Sequence, residues 1–279
     1  MTQTIGIAGA GRVAQAMGRL LYERGFSVTC IASRTIANSS VAAAFIGAHT
    51  RPVELSAIQE HATHVLIAVP DAALNSVAEQ ITCVEIILHT CGTQGPQSLP
   101  GISCGTIHPL QTITDPEQGV RSLPGCAFAV DGDTAAVAWA EQIVKSLNGE
   151  ILRIPHVMRP IYHAGAVMAS NYVAGLMNAA QDLFELAGID RSASLRVLAP
   201  LMRTAIDNIT ERGPIDTLTG PIERGDTETV VAHLDAMRIA PDQIQRLYRA
   251  AGLQVLEMAR ARGLSQTTAT AIQQALQRD

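Results

Sequence analysis

The stretch from Ile5 to Leu21 constrains the fold of this chain more than any other part of the sequence. A short apolar run of β type ends near Ala8, the glycine turn GAGRVA follows at residues 9–14, and apolar residues then recur at helical spacing. A G-x-G-x-x-A turn between a strand and a helix lets the backbone approach a pyrophosphate, whose charge meets the free N–H groups of the helix. The pattern therefore predicts a dinucleotide-binding turn. The residues expected at the pyrophosphate are Gly9, Gly11, Arg12 and Val13.

The end of the second predicted strand indicates which dinucleotide is bound. This strand covers residues 27–32 and is followed by Ser33 and Arg34. Sites for NAD usually place an acidic residue here, on the ribose 2′-hydroxyl, whereas an arginine suits the additional phosphate of NADP. We therefore predict NADP as the cofactor, with Ser33 and Arg34 at its 2′-phosphate. An exposed polar loop is the alternative interpretation.

Strands and helices alternate over the first 155 residues, which predicts a doubly wound parallel sheet with helices on both faces. Ligands of such sheets bind beyond the carboxyl ends of the strands. The further predicted strands cover residues 64–69, 86–89, 102–107, 126–130 and 150–154, and the helices cover residues 35–46, 72–81 and 134–147. The strand-end residues expected to contact the cofactor are Val69, Pro70, Asp71 and Thr90.

Only helices are predicted after residue 155. The first, at residues 159–187, is apolar on several sides and rich in small residues, which predicts a central helix buried by neighbours or by a second subunit. Further helices are expected at residues 190–212, 226–237, 241–262 and 265–276. We thus predict an α/β fold of two domains: a cofactor-binding domain at residues 1–155 and an all-helical substrate and dimerisation domain at residues 156–279.

His108 is the first candidate for catalysis. It stands at the end of a predicted strand, directly before Pro109. Hydride transfer to a carbonyl needs a proton donor for the developing alkoxide, and histidine suits that task near neutral pH. We predict that His108 is this donor. A structural histidine that holds the turn at Pro109 is the alternative.

Two features of the helical half are candidates for substrate contact. His163 and Asn171 fall on one stripe of the long predicted helix and are expected to orient the substrate, although a lone histidine there is often a hydrogen-bonded core residue. The loop at residues 216–226 is longer than a simple helix connector needs to be. In this loop we predict that Thr219, Gly220 and Arg224 bind substrate, with Arg224 on a carboxylate.

Composition argues against several other classes of protein. The net charge is −5 and the arginines are scattered, so no basic stripe for nucleic acid is present. No apolar run reaches the roughly 18 residues of a membrane span, and the first strand begins too early for a signal peptide to precede it. These observations predict a cytoplasmic protein that binds neither nucleic acid nor membranes.

The cysteines and the single lysine narrow the chemistry further. Five cysteines without a C-x-x-C pair indicate reduced thiols. The set His89, Cys91, Cys104 and His108 could in principle bind zinc, but its spacing matches no compact zinc module, so no metal is predicted. Lys145 is the only lysine and lies on an amphipathic helix, which argues against a catalytic lysine.

Four motifs carry a resemblance to a known group: HTCG at residues 89–92, HPLQT at 108–112, YHAGAVMASNY at 162–172 and LTGPIERGD at 218–226. With the glycine turn, they resemble Rossmann-like reductases that have an uncharacterised helical C-terminal domain, in the 6-phosphogluconate dehydrogenase-like superfamily. Some of these are implicated as alternative ketopantoate reductases. The resemblance implies an N-terminal NADP domain and a helical domain that commonly dimerises.

The resemblance has a further parallel and two departures. The pair His108-Pro109 is similar to the His-Pro of prephenate dehydrogenases, in which the histidine contacts the reacting hydroxyl. The better-known hydroxyacid dehydrogenases of the superfamily use a lysine and an asparagine on the long helix, whereas only Asn171 has a counterpart here. Cys91 stands where relatives usually have serine.

Together these features predict an NADPH-dependent reductase of a small 2-oxo acid, with ketopantoate as the first candidate and a homodimer as the assembly. Three alternatives stay open. One is a cyclic imine reductase similar to the pyrroline carboxylate reductases, and another is a prephenate-like dehydrogenase. The third is a non-catalytic protein that senses NADP or acts as a scaffold.

Overall fold

The computed structural model of this chain describes residues 3–96 and 101–278. It divides into two compact units, of which the first ends at Ser170 and the second begins at Asn171. The domain boundary predicted after residue 155, where alternating strands and helices give way to helices alone, stays a prediction. Across the described helices, none is both long and apolar enough to pass through a bilayer.

The first unit is built on a mostly parallel sheet of eight strands, counted over the described residues. The strand order is β3-β2-β1-β4-β5-β6-β7-β8. The strands are β1 (Ile5–Ala8), β2 (Val28–Ala32), β3 (Arg51–Val53), β4 (His64–Ile67), β5 (Ile86–His89), β6 (Ser103–Pro109), β7 (Ala127–Gly132) and β8 (Glu150–Arg153). The helices are α1 (Arg12–Glu23), α2 (Ile36–Ile46), α3 (Leu74–Ala78), α4 (Pro116–Ser122), α5 (Thr134–Ser146) and α6 (Arg159–Ala169).

Helices cover both faces of this sheet, which confirms the predicted α/β class. On one face, Met17 of α1, Ile46 of α2 and Trp139 of α5 pack on the apolar side chains of the strands. On the other face, Ile58 of a short 3₁₀ helix and Leu74 of α3 close a second core. Burial on both faces explains why the central strands are continuous apolar runs in the sequence.

Two features of the sheet differ from the prediction. Strand β7 runs antiparallel to β6, so the sheet is not parallel throughout. A parallel pair would need a connection that returns the chain across the sheet. The connecting helix α4 instead packs on α1, where a Cβ on Gly119 would lie 2.7 Å from the Ala16 methyl. Strand β3 is absent from the prediction, because an edge strand of three residues with a central proline shows no apolar alternation.

The second unit consists of helices over its described residues. They are α7 (Asn171–Leu186), α8 (Arg191–Arg212), α9 (Pro221–Arg224), α10 (Thr227–Ala236), α11 (Asp242–Ala261) and α12 (Gln266–Gln277). Val230, Leu256 and Ile272 lie at the centre of a core shared by α10, α11 and α12. Asp226 caps α10 by accepting a hydrogen bond from Thr229 N at 3.0 Å, as its position before that helix predicts.

The long helix predicted over residues 159–187 is two helices. The break lies at Ser170, whose φ of −125° and ψ of −74° are not helical. Its Oγ donates a hydrogen bond to Ala166 O at 2.8 Å, and a serine bonded in this way often bends a helix. His163 and Asn171 therefore do not share one continuous stripe. No residue of α7 is buried within the chain, so neighbouring helices do not provide the predicted burial there, and burial by a second subunit stays a prediction.

Candidate functional site

The glycine turn lies where the order of the strands changes direction. Strand β1 pairs with β2 on one side and with β4 on the other, and such a switch point is where doubly wound sheets bind ligands. Gly9 has a φ of +121°, and a Cβ at this position would lie 2.1 Å from Ala68 O. Its N–H donates to Ala32 O at 2.7 Å. Only glycine fits here, because the backbones of β1 and β4 are in close contact.

At Gly11, unlike Gly9, there is space for a side-chain atom. It is the N-cap of α1 in an extended conformation, no side chain caps the helix, and its first turn carries no acidic residue. A Cβ on Gly11 would meet no atom within 4 Å. The first N–H groups of the 12-residue helix thus have no side-chain cap, and they carry the positive end of its dipole. A phosphate group fits this position.

The end of β2 presents a guanidinium without a partner in the described part of the chain. Arg34 is exposed, and the first turn of α2 has no acidic residue that could pair with it. Ser33 is already engaged, because its Oγ donates to Thr35 O at 2.9 Å and lies 2.9 Å from Ser39 Oγ. Of the two residues predicted to bind a 2′-phosphate, Arg34 is the one whose side chain is available.

The loops after β4 and β5 are joined by hydrogen bonds. Thr90 N donates to Ile67 O at 3.0 Å, and Thr93 Oγ1 donates to Asp71 Oδ2 at 2.9 Å. Gln94 Nε2 adds a bond to Asp71 O at 3.1 Å. Asp71 and Thr90, both predicted to contact the cofactor, therefore belong to one connected strand-end region. Val69 and Pro70 belong to the same loop after β4, half-buried and exposed respectively.

His89 holds the loop after β5 in place. It is buried, its Nε2 lies 2.9 Å from Gly95 O, and its Nδ1 accepts from Cys91 N at 3.3 Å. A carbonyl oxygen can only accept and an N–H can only donate, so both bonds require a neutral ring with its proton on Nε2. Burial lowers the pKa of His89 to about 4, in agreement with this neutral form.

We expect acid to weaken the fold through His89. Because the pKa of His89 is about 4 in the folded chain and 6.5 for an unperturbed histidine, protonation favours the unfolded chain. The linkage contributes about 3 kcal/mol of stability that is complete above pH 6.5 and lost as pH falls toward 4. Urea unfolding at pH 7 and pH 4.5 measures the loss. His89→Leu should be less stable than wild type at pH 7 and should show a smaller fall between the two pH values; an equal fall would contradict this role.

His108 of β6 lies against residues of α6 and the loop after β5. Tyr162 Oη is 3.0 Å from His108 Nδ1, with the two rings nearly perpendicular. His163 lies nearby, at a ring-centroid distance of 5.8 Å. A Cβ on Gly92 would lie 2.8 Å from His108 Nε2 and 2.4 Å from His163 Cδ2. Two imidazoles thus lie against Gly92 at the carboxyl end of the sheet, and a phenol lies against one of them.

The surroundings of His108 make a positive charge on the ring unfavourable. Burial, with smaller contributions from His163 and Arg159, lowers the pKa of His108 to about 4, and His89 acts in the same direction. The Asp71 carboxylate opposes the shift without reversing it. At neutral pH the ring is therefore neutral, and the role of His108 as proton donor stays a prediction. A neutral imidazole still donates one hydrogen bond.

Arg159 is a fully buried cation beside this group. It begins α6, and its Nη2 donates to Cys91 O at 3.0 Å. Its Nε and Nη1 have no hydrogen-bond partner among the residues that the structure describes. The guanidinium therefore fixes the backbone next to Gly92 and places a positive charge near His108 and Tyr162.

Three residues of this group escape or mislead the sequence analysis. Tyr162 is adjacent to His163 in sequence and is not among the predicted site residues, yet it contacts His108. Arg159 directly precedes a proline in the first turn of a helix, a position that is usually exposed, so the sequence does not predict its burial. The sequence suggests His89 only as a metal ligand. Over residues 3–96 and 101–278, no three His, Cys, Asp or Glu groups are placed to share a metal ion.

The remaining candidates lie in the second unit. Asn171 is exposed at the start of α7, and Thr219 is exposed before Gly220, which has a φ of +103° at the N-cap of α9. Arg224 is exposed and lines a cavity of about 320 Å³ together with Arg262 and Thr268. Their roles toward a substrate stay predictions.

Two family models match the chain in separate segments. One is described as a Rossmann-like domain and matches residues 2–112. The other is described as a domain of unknown function, DUF2520, and matches residues 126–255. No curated protein sequence matches the chain.

Solved structures share the fold over nearly the whole chain. A Bacteroides fragilis protein designated an NADP oxidoreductase is 21% identical and covers 92% of this chain and 98% of its own, with a TM-score of 0.74. A protein from Thermotoga maritima is 22% identical and covers 93% and 99%, with a TM-score of 0.72. Pyrroline carboxylate reductase from Plasmodium falciparum, solved with NADP bound, is 12% identical and covers 98% of both chains, with a TM-score of 0.61. The chain therefore combines a Rossmann-like domain with a helical C-terminal region, in the fold that these proteins share.

Proposed function

We propose that this protein is an NADPH-dependent oxidoreductase. The observation that carries the proposal is the uncapped N-terminus of α1, which faces open space at Gly11 beside the strand switch point. A pyrophosphate there would accept hydrogen bonds from the backbone around Gly11, Arg12 and Val13. Among structures of the same fold, one has NADP bound and a reductive aminase has NADPH bound, which supports the same cofactor here.

The choice of NADPH over NADH rests on Arg34 in this proposal. Replacing Arg34 by serine removes a charge-assisted contact with the 2′-phosphate, a loss of about 1.5–3 kcal/mol or roughly 10–100-fold in NADPH affinity. NADH affinity should change less than twofold. Fluorescence titrations of both nucleotides measure this. Arg51→Ser, on the exposed amino end of β3, is the matched control. An equal loss of affinity for both nucleotides would show that Arg34 does not contact the 2′-phosphate.

The substrate we propose is a small 2-oxo acid, with ketopantoate as first candidate. When bound, NADPH supplies the hydride that reaches the carbonyl carbon. In this arrangement Val69, Pro70, Asp71 and Thr90 would border the nicotinamide. Neutral His108 would donate a hydrogen bond to the oxygen as negative charge develops on it, and water would supply the proton that completes the alcohol. His163 and Asn171 would orient the substrate. Thr219, Gly220 and Arg224 would bind it, with the guanidinium of Arg224 pairing with the carboxylate.

One observation favours a second candidate, the reduction of a cyclic imine. His108 is neutral at physiological pH because of its lowered pKa, so it is a weak source of protons. An iminium substrate arrives already protonated, and its reduction needs no general acid. A pyrroline carboxylate reductase and a reductive aminase share the fold of this chain, which supports keeping this chemistry as the alternative.

A substrate panel tests the proposal. Purified protein with NADPH is offered ketopantoate, other 2-oxo acids and cyclic imine carboxylates, and the loss of NADPH absorbance is followed. Turnover with 2-oxo acids supports the first candidate, and turnover restricted to imines supports the second. Tight NADPH binding without oxidation by any member of the panel would favour a non-catalytic sensor and would overturn the assignment as a reductase.

We also propose that the protein is a homodimer formed through its helical unit. Helices α7 and α8 expose more large apolar side chains than an isolated surface normally carries. These side chains are Tyr172, Leu176, Leu186, Leu195, Val197, Leu201, Ile206 and Ile209. Sedimentation equilibrium should give twice the mass of the chain, and a monomer mass at micromolar concentration would contradict the pairing.

A further inference from the structure

The phenol of Tyr162 contacts the ring of His108 and affects which ring nitrogen of that histidine carries hydrogen. Its Oη lies 3.0 Å from Nδ1 of His108, and the two rings meet edge to face at 89°. Tyr162 lies one turn into α6, whose first residue, Arg159, is anchored to Cys91 O. Both rings are thus held by rigid elements of the same compact unit.

We propose that Tyr162 is a positioning residue that fixes the tautomer of His108, so that the ring proton sits on Nε2 beside Gly92. The catalytic consequence rests on the function proposed above, whereas the tautomer itself does not depend on it.

The hydrogen-bonding inventory of the pair dictates this tautomer. Over the described residues, the Tyr162 hydroxyl has no hydrogen-bond partner other than His108 Nδ1. If Nδ1 carried the proton, it would donate to the phenol oxygen and leave the hydroxyl hydrogen without an acceptor among the described residues. If Nδ1 is unprotonated, it accepts from the hydroxyl and every polar atom of the contact is satisfied. A half-buried pair favours the satisfied arrangement.

The tautomer matters because the ring is neutral. A protonated imidazole carries hydrogen on both nitrogens, and no partner could select between them. Burial of the ring and the neighbouring His163 and Arg159 keep the pKa of His108 at about 4, so one ring nitrogen carries hydrogen at neutral pH. His89 shows the same state, with Nε2 as donor and Nδ1 as acceptor.

The consequence is a fixed donor at the carboxyl end of the sheet. With Nδ1 occupied by the phenol, His108 Nε2 directs its N–H to the side of Gly92, 2.8 Å from where a Cβ of that residue would lie. During carbonyl reduction this N–H would meet the developing oxyanion without prior rearrangement of the ring. Without the phenol, part of the population would carry the proton on Nδ1 and present a lone pair to the oxyanion.

The chain contains a matched control for this contact. Tyr248 of α11 places its Oη 2.8 Å from Nδ1 of His233, again edge to face, at 84°. This pair lies within the helical unit and belongs to none of the candidate residues. Tyr248→Phe therefore removes the same chemical contact as Tyr162→Phe at a place where the proposal expects no effect on turnover.

The experiment is ¹⁵N NMR of the histidine rings at pH 7.5 in wild type, Tyr162→Phe and Tyr248→Phe. Protonated and unprotonated ring nitrogens have well-separated shifts, so the spectrum identifies the tautomer directly. The wild type and Tyr248→Phe should show His108 as the Nε2–H form, and Tyr162→Phe should show a mixture with the Nδ1–H form. An Nδ1–H ring in the wild type, or an unchanged ring in Tyr162→Phe, would overturn the proposal.

Kinetics then separate this proposal from the proposed function. With a substrate found in the panel, Tyr162→Phe should lower kcat about tenfold, the value of one neutral hydrogen bond, with KM for NADPH unchanged. A fall in kcat with no change of tautomer would also overturn the positioning role. If no panel member is reduced, the reductase assignment fails, while the NMR spectra of the wild type still decide the tautomer.

Discussion

Replacing Gly11 by aspartate is expected to abolish NADPH binding while leaving the fold as stable as that of the wild type. Gly11 is the N-cap of α1 with a φ of −76° and a ψ of −178°, a conformation that any residue adopts. A Cβ added at this position would meet no atom within 4 Å. Aspartate is a preferred N-cap and would bond the N–H groups that glycine leaves open, which stabilises the helix by a few tenths of a kcal/mol relative to glycine.

The same substitution opposes the cofactor in two ways. The carboxylate occupies the N–H groups that the pyrophosphate needs, and it adds a negative charge at the place where phosphate must approach. A loss of about 3 kcal/mol or more is expected, which corresponds to at least a roughly 100-fold weaker affinity for NADPH. Isothermal calorimetry measures the affinity, and thermal unfolding without nucleotide measures the stability.

Two companion variants sharpen this test. Gly11→Asn adds the same volume without the charge, so its loss of affinity isolates the steric part and should be smaller. Gly9→Ala should behave in the opposite way to Gly11→Asp. Its Cβ would lie 2.1 Å from Ala68 O at a φ of +121°, so the fold itself should be lost. NADPH binding that survives in Gly11→Asp would show that the cofactor does not use this turn.

The contrast between these two glycines shows what the sequence could and could not predict. Both are equivalent in the motif, and the strand–turn–helix context is sufficient to locate them. Local patterns likewise predict most elements, because apolar runs and helical spacing report burial one element at a time. Gly9 differs from Gly11 in its distance in space from the end of β4. That strand ends at Ile67, 56 positions after Gly11 in the sequence, so no local sequence pattern reports the contact.

The same limit explains the errors around the site. The antiparallel pairing of β6 with β7 depends on where α4 packs, and the break at Ser170 is accompanied by a side-chain hydrogen bond inside an otherwise helical pattern. His108 is identifiable from its place at a strand end, but its low pKa follows from burial that distant segments impose. The contact with Tyr162 spans 54 positions in the chain. Residue type and position were therefore predictable, whereas protonation state and partners were not.

His108→Ala is expected to lower kcat about 100-fold or more, within the range for a lost donor at a developing charge, with NADPH affinity within about twofold of the wild type. The ring contacts Tyr162 and Gly92 rather than the glycine turn, so cofactor binding should be unaffected. His233→Ala, which removes the corresponding histidine of the pair with Tyr248, is the matched control and should retain turnover.

The pH profile of kcat distinguishes a neutral donor from an imidazolium acid. The groups that face His108 are Asp71, His89, Arg159, Tyr162 and His163, and burial together with these neighbours gives a pKa of about 4. Since this pKa lies below its ordinary value, the ring loses its proton as pH rises through 4 and stays neutral above it. The kcat of the wild type should therefore be flat between about pH 6 and pH 8, at the level set by the Nε2–H donor, and the His108→Ala profile should be parallel and lower. A different profile would contradict the neutral-donor mechanism: kcat falling about tenfold per pH unit above a midpoint near pH 6.5, with no such fall in His108→Ala. That result would show that the ring acts as an imidazolium acid.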